Sequence, residues 1–364
     1  MHWSKCELGK VITLKRGYDL PQQKRAKGCI PIFSSSGITG FHSDFMVKGP
    51  GVITGRYGTI GEVFYANEDF WPLNTTLYVQ DFHGNNPLFI YYYLKTIPWQ
   101  QFTSASAVPG INRNIVHTYP VSIPDLDTQE KIVSVLYLVD EKIGNNTKLN
   151  ENLLQQALCL FEDEFVTKAD IDEELPLYNF ADYINGAAFK PDELGDAGLP
   201  VIKIAELKAG ITGSTRFFSG DKGSKYLVHN KDILFSWSGN PETSIDLFIW
   251  SEGNGILNQH TFNVKSKYGC PWFTFLMLKY HKPTFTHIAS NKQTTGLGHV
   301  TAADLKRLTF PFDLDRMNAF ETTVRPIMDL LYGNLLENRE LSSLRDTLLP
   351  RLMSGELDVS DIDL

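Results

Sequence analysis

Between Thr128 and Leu160 the apolar positions recur in alternating steps of four and three: Ile132, Leu136, Val139, Ile143, Asn146, Asn150, Leu153, Ala157 and Leu160. A mean step of about 3.5 residues is the seam of a coiled coil. Thr128 is the expected N-cap, with Lys131 three residues on instead of the acidic or amide partner of a capping box. The same steps return at Phe320, Val324, Ile327, Leu331, Asn334, Asn338 and Leu341. About 40 residues at ~1.5 Å each predict a rod of ~60 Å, too long to pack on one small domain, so two such rods are expected to pack on each other. Asn146 and Asn150, with Asn334 and Asn338 at matching places, interrupt both seams. A polar pair in a seam costs stability but penalises every register that leaves it against hydrocarbon, so these four residues are expected to set helix register. A hydrated gap with no specifying role is the alternative.

The helical pattern is itself a repeat. Asp125-Leu126-Asp127 returns 188 residues later as Asp313-Leu314-Asp315, and Leu136, Ile143, Leu153 and Leu160 return as Val324, Leu331, Leu341 and Leu348. The stretches ahead of the helices repeat more loosely. Leu8, Val11, Leu14 and Gly17 match Leu177, Phe180, Tyr183 and Gly186; Leu73-Asn74 matches Leu257-Asn258; Leu94-Lys95 matches Leu278-Lys279. A chain built from two copies of a unit tends towards internal two-fold symmetry. Within the blocks, Pro50 to Gly55 and Asp232 to Ser236 read as buried strands running into the loops Gly55-Arg56-Tyr57-Gly58 and Trp237-Ser238-Gly239-Asn240. Pro87 to Ile97 and Pro271 to His281 read as apolar helices covering a sheet, followed by polar stretches at Thr103 to Asn114 and Ser290 to Thr301. The expected class is therefore α+β: residues 1–124 and 175–312 form two domains, 125–170 and 313–355 two spacer helices, and 356–364 an acidic tail.

Composition changes this picture only when divided. At 364 residues and 42% hydrophobic content the chain can bury two cores, and it is neither disordered nor fibrous. The net charge of -8 hides an alternation. Residues 1–124 carry 11 Lys and Arg against 7 Asp and Glu, and 175–312 carry 14 against 11, whereas 125–174 carry 4 against 13 and 313–364 carry 5 against 11. Mildly basic blocks on acidic spacers suggest that the blocks meet phosphate and the helices meet protein. The start lacks an apolar signal core and no run reaches the ~18 apolar residues of a membrane span, so a cytoplasmic protein is expected. Cys6, Cys29, Cys159 and Cys270 stand far apart with no CxxC, which fits a reducing compartment.

At this point the chain resembles the specificity subunit of a type I restriction-modification system. The resemblance rests on Pro31-Ile32-Phe33-Ser34-Ser35-Ser36-Gly37, Ile53 to Gly61 and Leu73-Asn74-Thr75 in the first block, and on Val121 to Pro124 with Gln129-Glu130-Lys131-Ile132 at the junction. Leu348 to Leu357 is similar to the family's closing motif. Two departures stand in the second half: Asp315-Arg316-Met317-Asn318 replaces the junction's Gln-Glu, and Trp237-Ser238-Gly239 stands where an Arg-Tyr-Gly loop is expected. The resemblance implies a non-catalytic reader of double-stranded DNA with two target-recognition domains, its helices forming an antiparallel coiled coil about a pseudo-two-fold axis. It further implies two methyltransferase subunits and restriction-translocase subunits as partners, a bipartite target with an unspecified spacer, and no cofactor.

Base reading needs donors and acceptors on rigid supports, Arg suiting guanine and Asn or Gln suiting adenine. Candidates are Arg56, Tyr57, Arg113 and Asn114 in the first block and Lys203, Asn240, Lys292, Gln293 and Thr294 in the second. Lys15, Arg16, Ser34, Ser35 and Lys190 are candidates for phosphate contacts that position without specifying. Enzyme readings find less support. Asn240-Pro241-Glu242-Thr243 begins like the Asn-Pro-Pro-Tyr box of amino-methyltransferases but lacks its second Pro and its aromatic. Pro124-Asp125 with Asp140-Glu141-Lys142, and Pro191-Asp192 with Glu206-Leu207-Lys208, satisfy a loose nuclease spacing for magnesium. The nine His show no ligand spacing, so no metal is expected. A stand-alone metal-dependent nuclease or a scaffolding protein of the same architecture is the alternative.

Overall fold

A computed structural model describes residues 3–103, 110–168, 170–293 and 296–362. Its contacts divide the chain into two units, one of residues 1–141 and 342–364 and the other of 142–341. In the first unit the chain runs through β1 (Trp3–Glu7), β2 (Thr13–Arg16), β3 (Ile30–Ser34), β4 (Gly37–His42), β5 (Gly51–Gly55), β6 (Val63–Ala66), β7 (Trp71–Pro72) and β8 (Thr76–Asp81). Helices α1 (Pro87–Lys95) and α2 (Arg113–His117) and strand β9 (Pro120–Pro124) follow, before the long helix α3 (Leu126–Glu162). The strands form an antiparallel sheet in the order β2-β8-β5-β6, a second in the order β4-β3-β7, and a β1-β9 pair.

The second unit repeats that plan. After α3 come β10 (Glu174–Pro176), β11 (Ala181–Asn185), β12 (Leu199–Ile202), α4 (Ile204–Ala209), β13 (Phe217–Phe218), β14 (Leu227–Val228), β15 (Ile233–Ser236) and β16 (Ser238–Gly239). Then follow α5 (Pro241–Ser244), β17 (Asp246–Ile249), β18 (Gly255–Leu257), β19 (Thr261–Ser266), α6 (Pro271–Tyr280), α7 (Lys282–Asn291), β20 (Gly298–His299), α8 (Ala302–Arg307), β21 (Thr309–Pro311) and α9 (Leu314–Met353). The sheet β11-β19-β15-β17 has the strand order of β2-β8-β5-β6, β12 pairs in parallel with β18 as β3 does with β7, and β10-β21 matches β1-β9. The expected α+β class holds, and so do the two buried strands and the two apolar helices.

The matched glycines show why the repeat survives in so few letters. A Cβ on Gly17 would lie 2.2 Å from the carbonyl oxygen of Leu73, and one on Gly186 would lie 2.1 Å from that of Asn258. No side chain fits such an approach. Tyr18 N–H donates to the Pro72 carbonyl at 2.8 Å and Ala187 N–H to that of Leu257 at 2.8 Å. The structural equivalents are thus Pro72 with Leu257 and Leu73 with Asn258, one residue off the letter match of Leu73-Asn74 with Leu257-Asn258.

The helix caps and seams depart from expectation in two instructive ways. Thr128 is not the N-cap: the Asp125 carboxylate accepts the Thr128 N–H at 3.0 Å, and Asp313 does the same for Arg316 at 3.0 Å. The repeated Asp-Leu-Asp is a cap, so α3 starts before Thr128. The seam also slides. Ile132 and Leu136 are fully buried, but Leu160 is 41% exposed and Phe161 takes the interior at 0%. A straight helix with about 3.6 residues per turn drifts ~20° per heptad from the seam repeat, which over four heptads moves the buried position on by about one residue. In α9 the same slide, four heptads on from Phe320, buries Leu349 more deeply than Leu348.

Each unit buries its own stretch of both helices. In the first, Ile132 and Leu136 join Leu349, Leu352 and Met353 under α1 and β1-β9. There Arg345 pairs with Asp140 at 2.9 Å, and Asp140 also accepts from the Tyr92 hydroxyl at 2.7 Å. In the second, Phe161 and Phe165 pack among Phe273, Phe310, Phe320 and Met328. The acidic tail docks: Val359 is buried in the first core, and Lys131 donates to the Ser360 carbonyl at 3.1 Å. No helix among the described residues is long and apolar enough to cross a membrane.

Candidate nucleic-acid interface

In the first block the loop after β5 is held from two sides. Arg56 N–H and Tyr57 N–H both donate to the Thr75 carbonyl, at 2.8 and 3.2 Å, and Ile111 N–H donates to the Arg56 carbonyl at 3.0 Å. The Arg56 guanidinium lies 4.5 Å from the centroid of the Tyr57 ring. A Cβ on Gly110 would come within 2.2 Å of that ring, so glycine there lets Tyr57 lie flat against the backbone. Stacking on an aromatic face limits the guanidinium's freedom before any ligand arrives. Ser35, in the β3–β4 turn, closes on the same loop: its Oγ is 3.2 Å from a Cβ built on Gly58. Ser34 Oγ bonds within the turn, to Ser36 Oγ at 3.0 Å and the Gly37 carbonyl. Arg113 and Asn114 are exposed at the start of α2, just after the strand-like contact at Ile111, and Asn112 caps that helix by accepting the Asn114 N–H at 3.0 Å. Lys15 and Arg16 lie on β2, Lys15 5.8 Å from the Tyr18 ring and Arg16 3.7 Å from Asp19.

The second block builds the same backbone with other side chains. Trp237 N–H donates to the His260 carbonyl at 3.4 Å, and Val300 N–H donates to the Trp237 carbonyl at 2.8 Å. Ser238 pairs with His299 as Tyr57 pairs with Gly110. The Trp237 indole stacks on Phe262 at 5.5 Å and donates to Asn185 at 3.1 Å, so no cation occupies the place of Arg56. Lys203 follows β12 where Ser34 ends β3, and its N–H donates to Glu206 at 3.0 Å. Lys190 N–H donates to Glu193 at 2.8 Å. Asn240 caps α5, its side-chain oxygen accepting from Glu242 and Thr243. Lys292 is engaged by Asp304, at 2.6 and 2.5 Å to the two oxygens. That ammonium, with Thr301, holds the Asp304 carboxyl below its ordinary pKa against the opposing effect of burial, which is the largest single influence. Gln293 is exposed, and Thr294 lies outside the described residues.

The four seam asparagines meet in pairs. Asn146 Nδ2 donates to Asn338 Oδ1 at 2.9 Å, and Asn334 Nδ2 donates to Asn150 Oδ1 at 2.8 Å. Asn150 also reaches the Leu331 carbonyl at 3.1 Å, Asn146 reaches Glu337 at 2.7 Å, and Asn338 reaches Thr147 at 3.4 Å. The pairing 146 with 338 and 150 with 334 makes this stretch of α3 and α9 antiparallel.

Thr75, Gly110 and the caps Asn112 and Thr301 organise the two loops; the sequence marked Thr75 only as part of the Leu73-Asn74-Thr75 motif and gave none of the four a role. The caps carried a legible signal, since both are N-cap types 189 residues apart. Thr75 acts through a carbonyl, which any residue supplies. Two carboxylates of the nuclease spacing are otherwise engaged: Asp140 takes Tyr92 and Arg345, and Glu206 is buried and accepts the Lys203 N–H. Among the described residues no cluster of three His, Cys, Asp or Glu is placed to hold a metal ion.

Two copies of a sheet-borne loop thus stand beside a helix start, the first presenting Arg56 and Tyr57 and the second Trp237 and Asn240. The family described as the type I restriction modification DNA specificity domain matches residues 1–155 and again residues 173–312, and this chain belongs to that family. It is similar to the specificity subunit of the type I restriction enzyme MjaIX of Methanocaldococcus jannaschii, 23% identical over 310 residues covering 75% of this chain and 70% of that one. It also resembles the HindI specificity subunit of Haemophilus influenzae, 40% identical over 58 residues covering 16% of this chain and 13% of that one. In fold it is similar to the crystal structure of the type I restriction-modification S subunit from M. genitalium, with a TM-score of 0.57, 16% identity, and coverage of 97% and 96% of the two chains. The chain is thus a type I restriction-modification specificity subunit: it recognises DNA sequence within a multi-subunit complex and is not itself the catalyst.

Proposed function

We propose that the chain reads a bipartite target, one half-site per block, and presents it to two methyltransferase subunits, with restriction-translocase subunits joining for cleavage. What carries this reading is the repetition of one loop scaffold, Arg56-Tyr57 held by Thr75 and Ile111, and Trp237-Ser238 held by His260 and Val300. The same scaffold with different side chains suits two different short sequences. Residues 1–124 and 175–312 are the recognition domains, 125–170 and 313–355 the spacer helices, and 356–364 the tail. Arg56, Tyr57, Arg113 and Asn114 read the first half-site, while Lys203, Gln293 and Thr294 read the second. Asn240 and Lys292, base-reading candidates in the sequence, are engaged in a cap and an ion pair, and shaping the second loop is the role proposed for them instead. Lys15, Arg16, Ser34, Ser35 and Lys190 meet phosphate, and the four asparagines set the register of α3 on α9.

Co-expression with the partner methyltransferase, followed by sequencing of methylated bases in the host, tests the reading. One motif of two half-sites with an unread gap is expected. Arg56→Ala is expected to relax one position of the first half-site, a loss of about 1–3 kcal/mol of discrimination, and to leave the second unchanged. Absence of any methylated motif would count for a scaffold instead.

A further inference from the structure

The two blocks differ in charge at one equivalent turn. In the first, Pro21 to Lys27 forms a short arm in which Lys24 N–H donates to the Pro21 carbonyl at 2.9 Å and Arg25 N–H to that of Gln22 at 3.1 Å. In the second, Glu193 N–H donates to the Lys190 carbonyl at 3.1 Å and Leu194 N–H to that of Pro191 at 3.3 Å. Position by position, 169 residues apart, Lys24, Arg25 and Lys27 stand where Glu193, Leu194 and Asp196 stand. The second arm is neutralised within its own block, Glu193 by Lys222 at 2.6 Å and Asp196 by Arg216 at 3.1 Å. Among the described residues no carboxylate pairs with Lys24, Arg25 or Lys27, and both lysines are exposed.

The arm is fixed to the hairpin that carries the reading turn. Ala26 N–H donates to Nδ1 of buried His42 at 3.0 Å, and a Cβ on Gly28 would lie 2.2 Å from the His42 carbonyl oxygen. Arg25 Nη1 lies 3.9 Å from a Cβ built on Gly40. Gly40 and His42 belong to β4, the strand that leaves the Ser34–Gly37 turn, and Ser35 of that turn packs on the Arg56 loop. At ~3.3 Å per residue the arm sits roughly 10–17 Å from the turn, within half a turn of duplex. β4 also leaves Ile38 55% and Phe41 56% exposed, surface that a protein could cover. Charge decides the occupant: three uncompensated cations in a chain of net charge -8 fit a polyanion.

We infer that Lys24, Arg25 and Lys27 form a three-cation phosphate clamp in the first block, where the equivalent arm of the second block offers only Lys190, gripping the duplex backbone beside the first half-site. This rests on the DNA-reading role proposed above. The chain, complexed with its methyltransferase, is titrated with a duplex carrying the mapped motif over a range of salt. Lys24→Ala/Arg25→Ala/Lys27→Ala is expected to lower the slope of log affinity against log salt by about 2–3, at ~0.9 per lost phosphate contact. The methylated motif stays the same, and Lys24→Arg/Lys27→Arg keeps the wild-type slope. An unchanged slope in the triple variant overturns the clamp while leaving the reading role intact; a wild-type complex with no sequence preference fails the reading role itself. Loss of methyltransferase co-purification with an unchanged slope overturns the clamp and assigns the arm to a protein partner.

Discussion

A histidine shows how a single side chain ties α2 to β2. His117 ends α2, and its Nε2 accepts the Leu14 N–H at 2.9 Å, where the β2–β8 register shifts. A ring nitrogen that accepts must be unprotonated. Burial, followed by Arg113 and His83, lowers the His117 pKa below its usual value of 6.5, and burial lowers that of His281 as well. The folded form therefore disfavours protonation. The stability this contributes is complete above pH 6.5 and is lost as pH falls from there through the depressed folded values. Thermal melts between pH 7.5 and pH 5 should show wild type losing stability over that window, on top of any loss from carboxylates. His117→Gln, which can still accept from Leu14, should lose less on acidification; parallel curves would exclude His117 as a contributor.

At the scale of the element, the seam asparagines behave as a coupled set. Asn150 accepts from Asn334 while donating to the Leu331 carbonyl, so removing one amide strands the other in a buried place. Asn150→Leu alone should cost about 1–3 kcal/mol, the usual cost of an unmet buried polar group. Asn150→Leu/Asn334→Leu should recover much of that, since apolar replacement of both partners is near neutral. Denaturant melts of the two single and the double variants give the coupling. Additive losses would mean the pair is merely hydrated. If the register role is right, the double variant should also broaden the distance distribution between spin labels placed on α3 and α9.

For the whole molecule, the helices carry no proposed reading residue, yet α3 and α9 each contribute to both units. Helix length should then govern how many base pairs go unread. Inserting a few residues in register into both helices should lengthen the unread gap in the methylated motif without altering either half-site; an unchanged gap would remove the helices from that role.

Much of this was legible in the chain because it is written as periodicity and repetition. The stepping of Ile132 and Leu136, the doubled Asp-Leu-Asp and the paired Asn positions are local patterns, and helix geometry alone converts them into two rods with matching polar breaks. Gly17 and Gly186 repeat because a backbone approach admits no other residue. Burial at Leu160 was misjudged because a constant spacing neglects a drift that accumulates over many turns, and only packing against α9 and the sheets decides which side faces inward. Pairings such as Lys292 with Asp304, Trp237 with Asn185, or the uncompensated arm beside β4 join residues far apart in sequence or compare the two blocks. Periodicity has nothing to say about them. Sequence alone thus determined a doubled α+β chain with two long helices, since repeated local pattern dictates repeated local structure. Tertiary structure decided which cations fold against a carboxylate, as Lys292 does against Asp304, and which do not, since such partners come from parts of the chain that no local pattern links.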